Sequence, residues 1–332
     1  MNATINQEKK HFPVLLNELV RIISPLYGGT FIDCTFGQGE YTKKILENKT
    51  NKVIALDRDS KVEIFAREIE SKFKGRFQFY NQKFSNINKL NFKNENIKAI
   101  IFDLGFSMNQ ISNLDTGLSF KSKGKLDMRL GLNDISSHEV VMKMDEENLK
   151  LIFKYFGEEK KAKLIARKII KERQNKILNT ENLVNIVDEI NKYNFSKKNH
   201  ATKIFQALRI FVNKEISELI NGLINSFSLL PIGGIIAVVT FHSIEDKIVK
   251  FFFNNYSKIK NSSRYIPNDS NKIKCLKVFK TKPIKPTIEE IKKNPASRSA
   301  KLRYAQKISE ENNFLEFKKK FEYLVKVESL EV

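Results

Sequence analysis

Cysteine is nearly absent from this chain of 332 residues; the only two, Cys34 and Cys275, stand far apart. They fit no metal-ligand spacing, which excludes a disulfide scaffold and a zinc ribbon. Without a Cys-x-x-Cys pair the zinc-dependent base deaminases are excluded as well. The chain opens polar, with no apolar signal region and no run long enough to cross a membrane. It therefore reads as cytoplasmic, in a reducing compartment, with no membrane partner. Internal repeats are missing too. Acids are in deficit: 38 Asp and Glu stand against 59 Lys and Arg, a net charge of +21. That excess points to a polyanion, nucleic acid above all. A coding bias towards lysine would also raise the count, and the abundant Asn and Ile fit such a bias. It would raise the acids as well, however, so nucleic acid remains the better account. Forty-one per cent apolar residues suffice for a sizeable core, in one large domain or two ordinary ones.

What is present is organised around Phe31-Ile32-Asp33-Cys34-Thr35-Phe36-Gly37-Gln38-Gly39-Glu40-Tyr41-Thr42. An apolar strand ends in an acid, a loop follows with glycines two apart, and Tyr41 to Glu47 reads as the start of a helix. Glycine at 37 and 39 lets the backbone turn sharply and approach a ligand closely. Strand, glycine turn and helix start together describe a nucleotide cradle at the carboxyl edge of a parallel sheet. Such loops alone are weak signals. Two further apolar runs strengthen this one: Lys52 to Leu56 ends in Asp57-Arg58-Asp59, and Ala99 to Phe102 ends in Asp103-Leu104-Gly105. Asp57 stands where a ribose hydroxyl would be held. One strand-end aspartate is usually a helix cap; three successive strands ending in acids are harder to dismiss. A dinucleotide fingerprint wants a third small residue where Thr42 stands. The acid before a two-glycine loop looks more like an S-adenosylmethionine site than an NAD site.

The remaining elements follow the same alternation until the middle of the chain. His11 to Glu18 leads into a short helix ending near Pro25, Lys61 to Lys72 reads as an amphipathic one, and Phe77 to Tyr80 as a short strand. Phe84 follows it, able to stack on a purine or to plug the loop. His11 reads as a packed residue. The Gly/Ser/Lys-rich run from Gly117 to Arg129 is too polar for core and too particular for a linker. From Asp145 to Phe227 the strand pattern disappears. Asp145 and Thr180 look like helix N-caps, and Leu149, Ile152, Phe153 and Phe156 recur at helical spacing. One long helix is predicted to carry Ile204, Phe205, Leu208, Phe211, Val212, Ile216, Leu219 and Leu223 on its core face. Lys203 and Arg209 on its polar side would suit phosphates. The sheet resumes over Gly234 to Phe241, after which Ser243 and Asp246 suggest a capping box. Tyr256 to Lys285 reads as a mobile lysine-rich loop, Thr287 with Glu290 opens a short helix, and 294–303 leads into a last strand.

Several blocks carry a family resemblance over nearly the whole length: HFPVLLNE, DCTFGQGEYT, ALDRD, FDLGFSMNQI with GLSFKSKGKLDMRL, YFGEEKKAKLIARKI, HATKIFQALRIFVNKE, VVTFHSIEDKIVK and NPASRSAKLR. The chain resembles the bacterial small-subunit rRNA cytosine-N4 methyltransferases, the RsmH or MraW family. The resemblance implies an α/β class I S-adenosylmethionine-dependent methyltransferase, Rossmann-like with a mostly parallel sheet, interrupted by an all-helical substrate domain. The corresponding boundaries are 1–112 and 216–332 for the methyltransferase domain and 113–215 for the insertion. It implies methyl transfer to the exocyclic amine of a cytidine in the decoding centre of small-subunit rRNA, within the assembled small subunit, and leaves room for a homodimer. By position the cofactor residues fall on Gly37, Gly39, Glu40, Tyr41, Asp57, Phe84, Asp103 and Gln110, with Asp103 and Ser107 at the reacting amine. Two departures stand out: Gly39-Glu40-Tyr41 replaces the family's Gly-Gly-His, and Ser107-Met108-Asn109-Gln110 replaces Ser-Ser-Pro-Gln. A non-catalytic rRNA-binding assembly factor and an amino-methyltransferase of another polynucleotide are the alternatives.

Overall fold

A computed structural model describes residues 13–105, 116–120, 122, 124–192, 199–257 and 274–332. Seven strands form one sheet in the order β3-β2-β1-β4-β5-β7-β6. They are β1 (Thr30–Asp33), β2 (Lys52–Asp57), β3 (Phe77–Asn81), β4 (Ile97–Asp103), β5 (Ile235–Thr240), β6 (Leu276–Val278) and β7 (Lys301–Lys307). The first five run parallel; β7 is antiparallel to both β5 and β6. Every residue of β1 and β5 is buried, as expected where a parallel sheet is covered on both faces. This is the α/β, Rossmann-like class I methyltransferase fold. Strand order reverses at β1 and β4, and the crevice beyond the carboxyl ends at such a reversal is where ligands settle.

Alternate side chains go to opposite faces. Phe31, Val53, Ala55, Ala99, Ile101 and Ala237 meet one helical layer, α1 (Leu16–Ile23), α2 (Glu40–Leu46) and α3 (Glu63–Lys72). Ile32, Ile54, Leu56, Ile100, Phe102, Ile236 and Val238 join the core of the helical segment that separates β4 from β5. That segment contains α4 (Ser137–Lys143), α5 (Glu146–Tyr155), α6 (Ala162–Arg173), α7 (Thr180–Asn191), α8 (Thr202–Asn213) and α9 (Glu215–Leu229). Leu149, Ile152, Phe153 and Phe156 are fully buried in it, each contributing about 1.5–3 kcal/mol of transfer free energy. The helices and one face of the sheet thus share a single apolar core.

Several expectations need correction. The acid-ended strands are the first, second and fourth, because β3 intervenes and ends in Asn81; in the sheet, however, β2, β1 and β4 are adjacent. The predicted long helix is two, broken at Lys214, whose φ of 52° is left-handed. No glycine or proline marks that break. It is fixed by tertiary bonds: Asn213 Oδ1 accepts from the Leu130 N–H and Asn133 Nδ2, and Asn213 Nδ2 donates to the Met128 carbonyl. Glu328 then caps the second helix, accepting from the N–H groups of Ile216 at 2.7 Å and Ser217 at 2.8 Å. It lies on α12 (Leu315–Glu328), which follows α10 (Ser243–Asn255) and α11 (Ile288–Lys293) and was not anticipated. The N-cap of α7 is Asn179, with Thr180 its first helical residue; Asp145 does cap α5, and Thr287 caps α11. The box that opens α10 is His242 with Glu245, while Asp246 pairs with Lys301 and Arg303 of β7. Within Tyr256 to Lys285, residues 276–278 form the edge strand β6 and 258–273 lie outside the described residues.

Candidate active site

A cavity of about 470 Å³ opens beyond the carboxyl ends of β1, β2, β4 and β5, large enough for a nucleotide-sized ligand. One end is built from the glycine turn. Gly37 has a φ of 55°, and a Cβ there would find its nearest neighbour 4.0 Å away, so the position is needed for its conformation and leaves room beside it. Its N–H donates to Asp57 Oδ2 at 2.8 Å, and the Asp59 N–H donates to Asp57 Oδ1 at 2.9 Å. Burial nevertheless outweighs these bonds and raises the Asp57 carboxyl to about 6. Phe84 lines the same region and packs edge-on against Phe102 at 5.2 Å. It both closes the loop and walls the cavity.

Asp103 also lines the cavity. Its N–H donates to Thr35 Oγ1 at 2.6 Å, which fixes the backbone. The side-chain Oδ1 is buried and has no hydrogen-bond partner among the described residues. Burial first, then the nearby Asp33 and Glu245, push this carboxyl up to about 8. A buried orphan acceptor costs free energy comparable to a lost hydrogen bond, and a ligand that donates to it removes that cost.

Of the remaining predicted residues, Glu40 and Tyr41 line the cavity and Gly39 does not. Gly39 is required for packing: with φ at 75°, a Cβ would approach Ile69 Cδ1 to 2.5 Å and the Phe36 ring to 2.6 Å. Glu40 is paired with Lys43 at 2.8 Å, so the acid that departs from the family pattern is not left bare in the cradle. The Tyr41 hydroxyl donates to the Val14 carbonyl. Asp33 stands behind the cavity wall, fully buried, with Thr42 Oγ1 donating to Oδ2 at 2.8 Å and the Thr35 N–H to Oδ1 at 3.3 Å. Ser107 and Gln110 lie outside the described residues, as do Phe106, Met108, Asn109 and His11.

Four further polar residues line the cavity that the sequence reading missed or misassigned: Arg209, Glu215, His242 and Glu245. Arg209 is not a free phosphate clamp. Its Nε and Nη2 donate to the two oxygens of Glu215 at 2.8 and 2.9 Å. Lys203 is exposed and donates to the Glu158 carbonyl. Glu245 is buried, which raises its carboxyl, but His242, Arg209 and the Phe241 N–H outweigh burial and leave it below the usual range. Glu215, His242 and Glu245 offer ligand atoms within 4.8 Å of one another. Because Arg209 occupies both Glu215 oxygens, the group reads as an ion-pair network. The signal was available: β5 ends at the same sheet edge as Asp103, so the strand-end argument extends to His242.

Residues 8–308 match the MraW methylase family. The chain belongs to that family. It is 41% identical over 308 residues to the ribosomal RNA small subunit methyltransferase H of Orientia tsutsugamushi (strain Ikeda), covering 90% of this chain and 99% of the relative. The proteins of the same name from Rickettsia bellii (strain OSU 85-389) and Ehrlichia canis (strain Jake) are each 39% identical, over 91% and 90% of this chain and 100% of theirs. The chain is thus a methyltransferase of the MraW family, and its cofactor is S-adenosylmethionine. The residues present fit that group: an orphan carboxylate in Asp103, a bare turn at Gly37, an acid ending β2 and an aromatic wall at Phe84. Among the described residues no helix is long and apolar enough to cross a membrane.

Proposed function

We propose that this methyltransferase transfers a methyl group to the N4 amine of a cytidine in the decoding centre of small-subunit rRNA, acting in the cytoplasm on the assembled small subunit. Three observations support the rRNA part of this reading: the family, the names of its relatives and the net charge of +21. The single observation that carries the chemistry is that Asp103 lines the cavity and that its buried Oδ1 has no hydrogen-bond partner among the described residues. When bound, S-adenosylmethionine supplies a methyl group on a sulfonium that already carries the activation. The N4 lone pair of cytosine is delocalised into its ring, so the amine needs acceptors that draw its protons out of the plane. Asp103 is such an acceptor in this reading, with Ser107 as the second residue given a part at the amine. A neighbouring cation favours the ionised carboxylate, which brings Asp103 down from its raised value. Asp57 holds the ribose, Phe84 faces the adenine, and Gly37, Gly39, Glu40, Tyr41 and Gln110 complete the cradle. No strong base is needed, because the methylated ammonium product loses its proton to water.

Residues 113–215 serve in this reading as the substrate-recognition lobe, whose basic side chains hold the RNA backbone without reading its sequence. The target base must leave its stack to reach a cavity of this depth. The decisive experiment offers isotopically labelled cofactor to unmethylated small subunits and to free rRNA, followed by nucleoside mass spectrometry. Label in N4-methylcytidine at one position supports the assignment. Label in any other nucleoside, or none, would overturn it.

A further inference from the structure

The Gly117 to Arg129 run, too polar for core and too particular for a linker, takes no part in the chemistry proposed above. Its described residues form a loop tied at several points. The Met128 N–H donates to the Thr116 carbonyl at 2.7 Å, and the Ser122 N–H to the Ser119 carbonyl at 2.9 Å. Thr180 Oγ1, in the first turn of α7, donates to the Gly124 carbonyl at 3.2 Å. Gly117 has a φ of 67°, and a Cβ there would meet the Lys125 carbonyl oxygen at 2.6 Å, so the turn depends on glycine. Leu126 and Met128 are fully buried in the core that the sheet shares with the helices.

The loop presents Phe120. Of the large apolar side chains that the fold leaves exposed among the described residues, Phe120 alone lines the cavity; it is 39% exposed, whereas Phe36 and Phe205 in the same lining are buried. A phenyl ring left in solvent forgoes the transfer free energy that burial would give. On a cavity wall it offers apolar and π contact to a ligand. Phe205 of α8 steadies it edge-to-face, with centroids 6.4 Å apart and planes at 79°. In such a pair one ring covers at most one face of the other, so a face of Phe120 is clear of Phe205.

A base taken out of its stack loses the π contacts of its neighbours, and proteins replace them with aromatic side chains. Phe84, given to the adenine above, follows β3 of the sheet; Phe120 belongs to the lobe given to the RNA, and both line the one cavity that Asp103 lines. Lys121, Lys123 and Lys125 follow Phe120 at alternate positions, and Lys125 is exposed. Cations interleaved with an exposed ring are the composition of a surface that binds single-stranded nucleic acid. We propose that Phe120, steadied by Phe205, is the platform on which the unstacked target base lies during methyl transfer. Stacking is tolerant of base identity, so this contact positions the base and leaves the choice among bases to other groups. The inference rests on the reading above that an RNA base enters the cavity.

The test compares Phe120→Ala, Phe120→Leu and Phe120→Tyr in single-turnover methylation of unmethylated small subunits, with cofactor affinity and melting temperature measured alongside. Phe120→Ala is expected to slow methylation about 5- to 100-fold, the span of one base–aromatic contact. Phe120→Leu keeps apolar bulk but has no π face, and should be slowed as well. Phe120→Tyr keeps the ring and should run close to the wild-type rate, with cofactor affinity and melting temperature unmoved in all three. A Phe120→Leu enzyme as fast as wild type would reduce the ring to apolar filling and overturn the assignment. A fall in cofactor affinity that matches the loss of rate would give the ring to the cofactor and overturn it too. Should Phe120→Ala fail to fold, the Leu and Tyr variants, which keep the bulk, still decide. If wild type labels a nucleoside other than cytidine, the cytidine reading falls, whereas a slowed Phe120→Leu enzyme at that nucleoside upholds the platform. Methylation of no RNA base at all would overturn both.

Discussion

Asp33 and Asp103 end neighbouring strands, β1 and β4, and burial raises the carboxyl of each, to about 6 and about 8. Their partners differ. Both oxygens of Asp33 are occupied from within the fold, by Thr42 and Thr35, and none of its surface faces solvent. Asp103 lines the cavity and has its backbone fixed by Thr35, but its buried Oδ1 has no hydrogen-bond partner among the described residues. Two acids of the same type, on adjacent strands, thus divide into one that builds the turn and one that waits for a ligand. A strand-end acid earns a chemical role only where the fold leaves it a free valence.

The largest test of this division is Asp103→Asn. It keeps the shape, removes the anionic acceptor, and is expected to lower single-turnover methylation about 100- to 1,000-fold with the fold intact. Undiminished turnover would remove Asp103 from the mechanism. Asp57→Ala comes next: it frees the Gly37 and Asp59 N–H groups and deletes the ribose acceptor. Calorimetry should find cofactor binding weakened about 10- to 100-fold, with a smaller effect on the rate at saturation.

Asp33→Ala should behave differently in kind. It strands the buried Thr42 hydroxyl and lowers stability by about 1–3 kcal/mol in denaturant unfolding, while cofactor affinity of the folded fraction changes little. A selective loss of affinity without a loss of stability would break the contrast between the two acids. Gly222→Ala is the mildest change. Its Cβ would lie 2.6 Å from the Phe84 ring, so overpacking costs about 1–3 kcal/mol unless the ring yields towards the cavity. Lowered melting temperature with a small drop in cofactor affinity is the expected pair of results.

How much of this was legible beforehand follows from where each signal is local. The glycine turn, the acids at 33, 57 and 103, and the alternating strands are local patterns, and each fell in the expected element. The break at Lys214 carries no local mark, because it is imposed by Asn213 gripping residues 128–133 and by Glu328 capping from the far end of the chain. Arg209 looked like an exposed cation because its partner Glu215 sits six residues on, across that same break. His242 was hidden for another reason: Ser243 and Asp246 offered a familiar cap pattern one residue later, and the histidine before it went unused. Which acids face the cavity could not be read from spacing at all, since Asp33 and Asp103 look alike until their hydrogen bonds are known.

The open valence of Asp103 also has a pH signature. A carboxyl raised to about 8 in the folded protein holds a proton that the unfolded chain would already have released. Its contribution to stability is therefore present below the ordinary aspartate range and is lost as pH rises towards 8. Binding of a sulfonium cation runs the opposite way, since it favours the ionised form. Calorimetric titration of S-adenosylmethionine into the wild-type enzyme at pH 6.5 and pH 8.5 is the most direct measurement. Affinity should rise about tenfold across that interval, and Asp103→Asn should flatten the rise. A wild-type affinity that is flat in pH, or a rise that survives in the variant, would contradict the account.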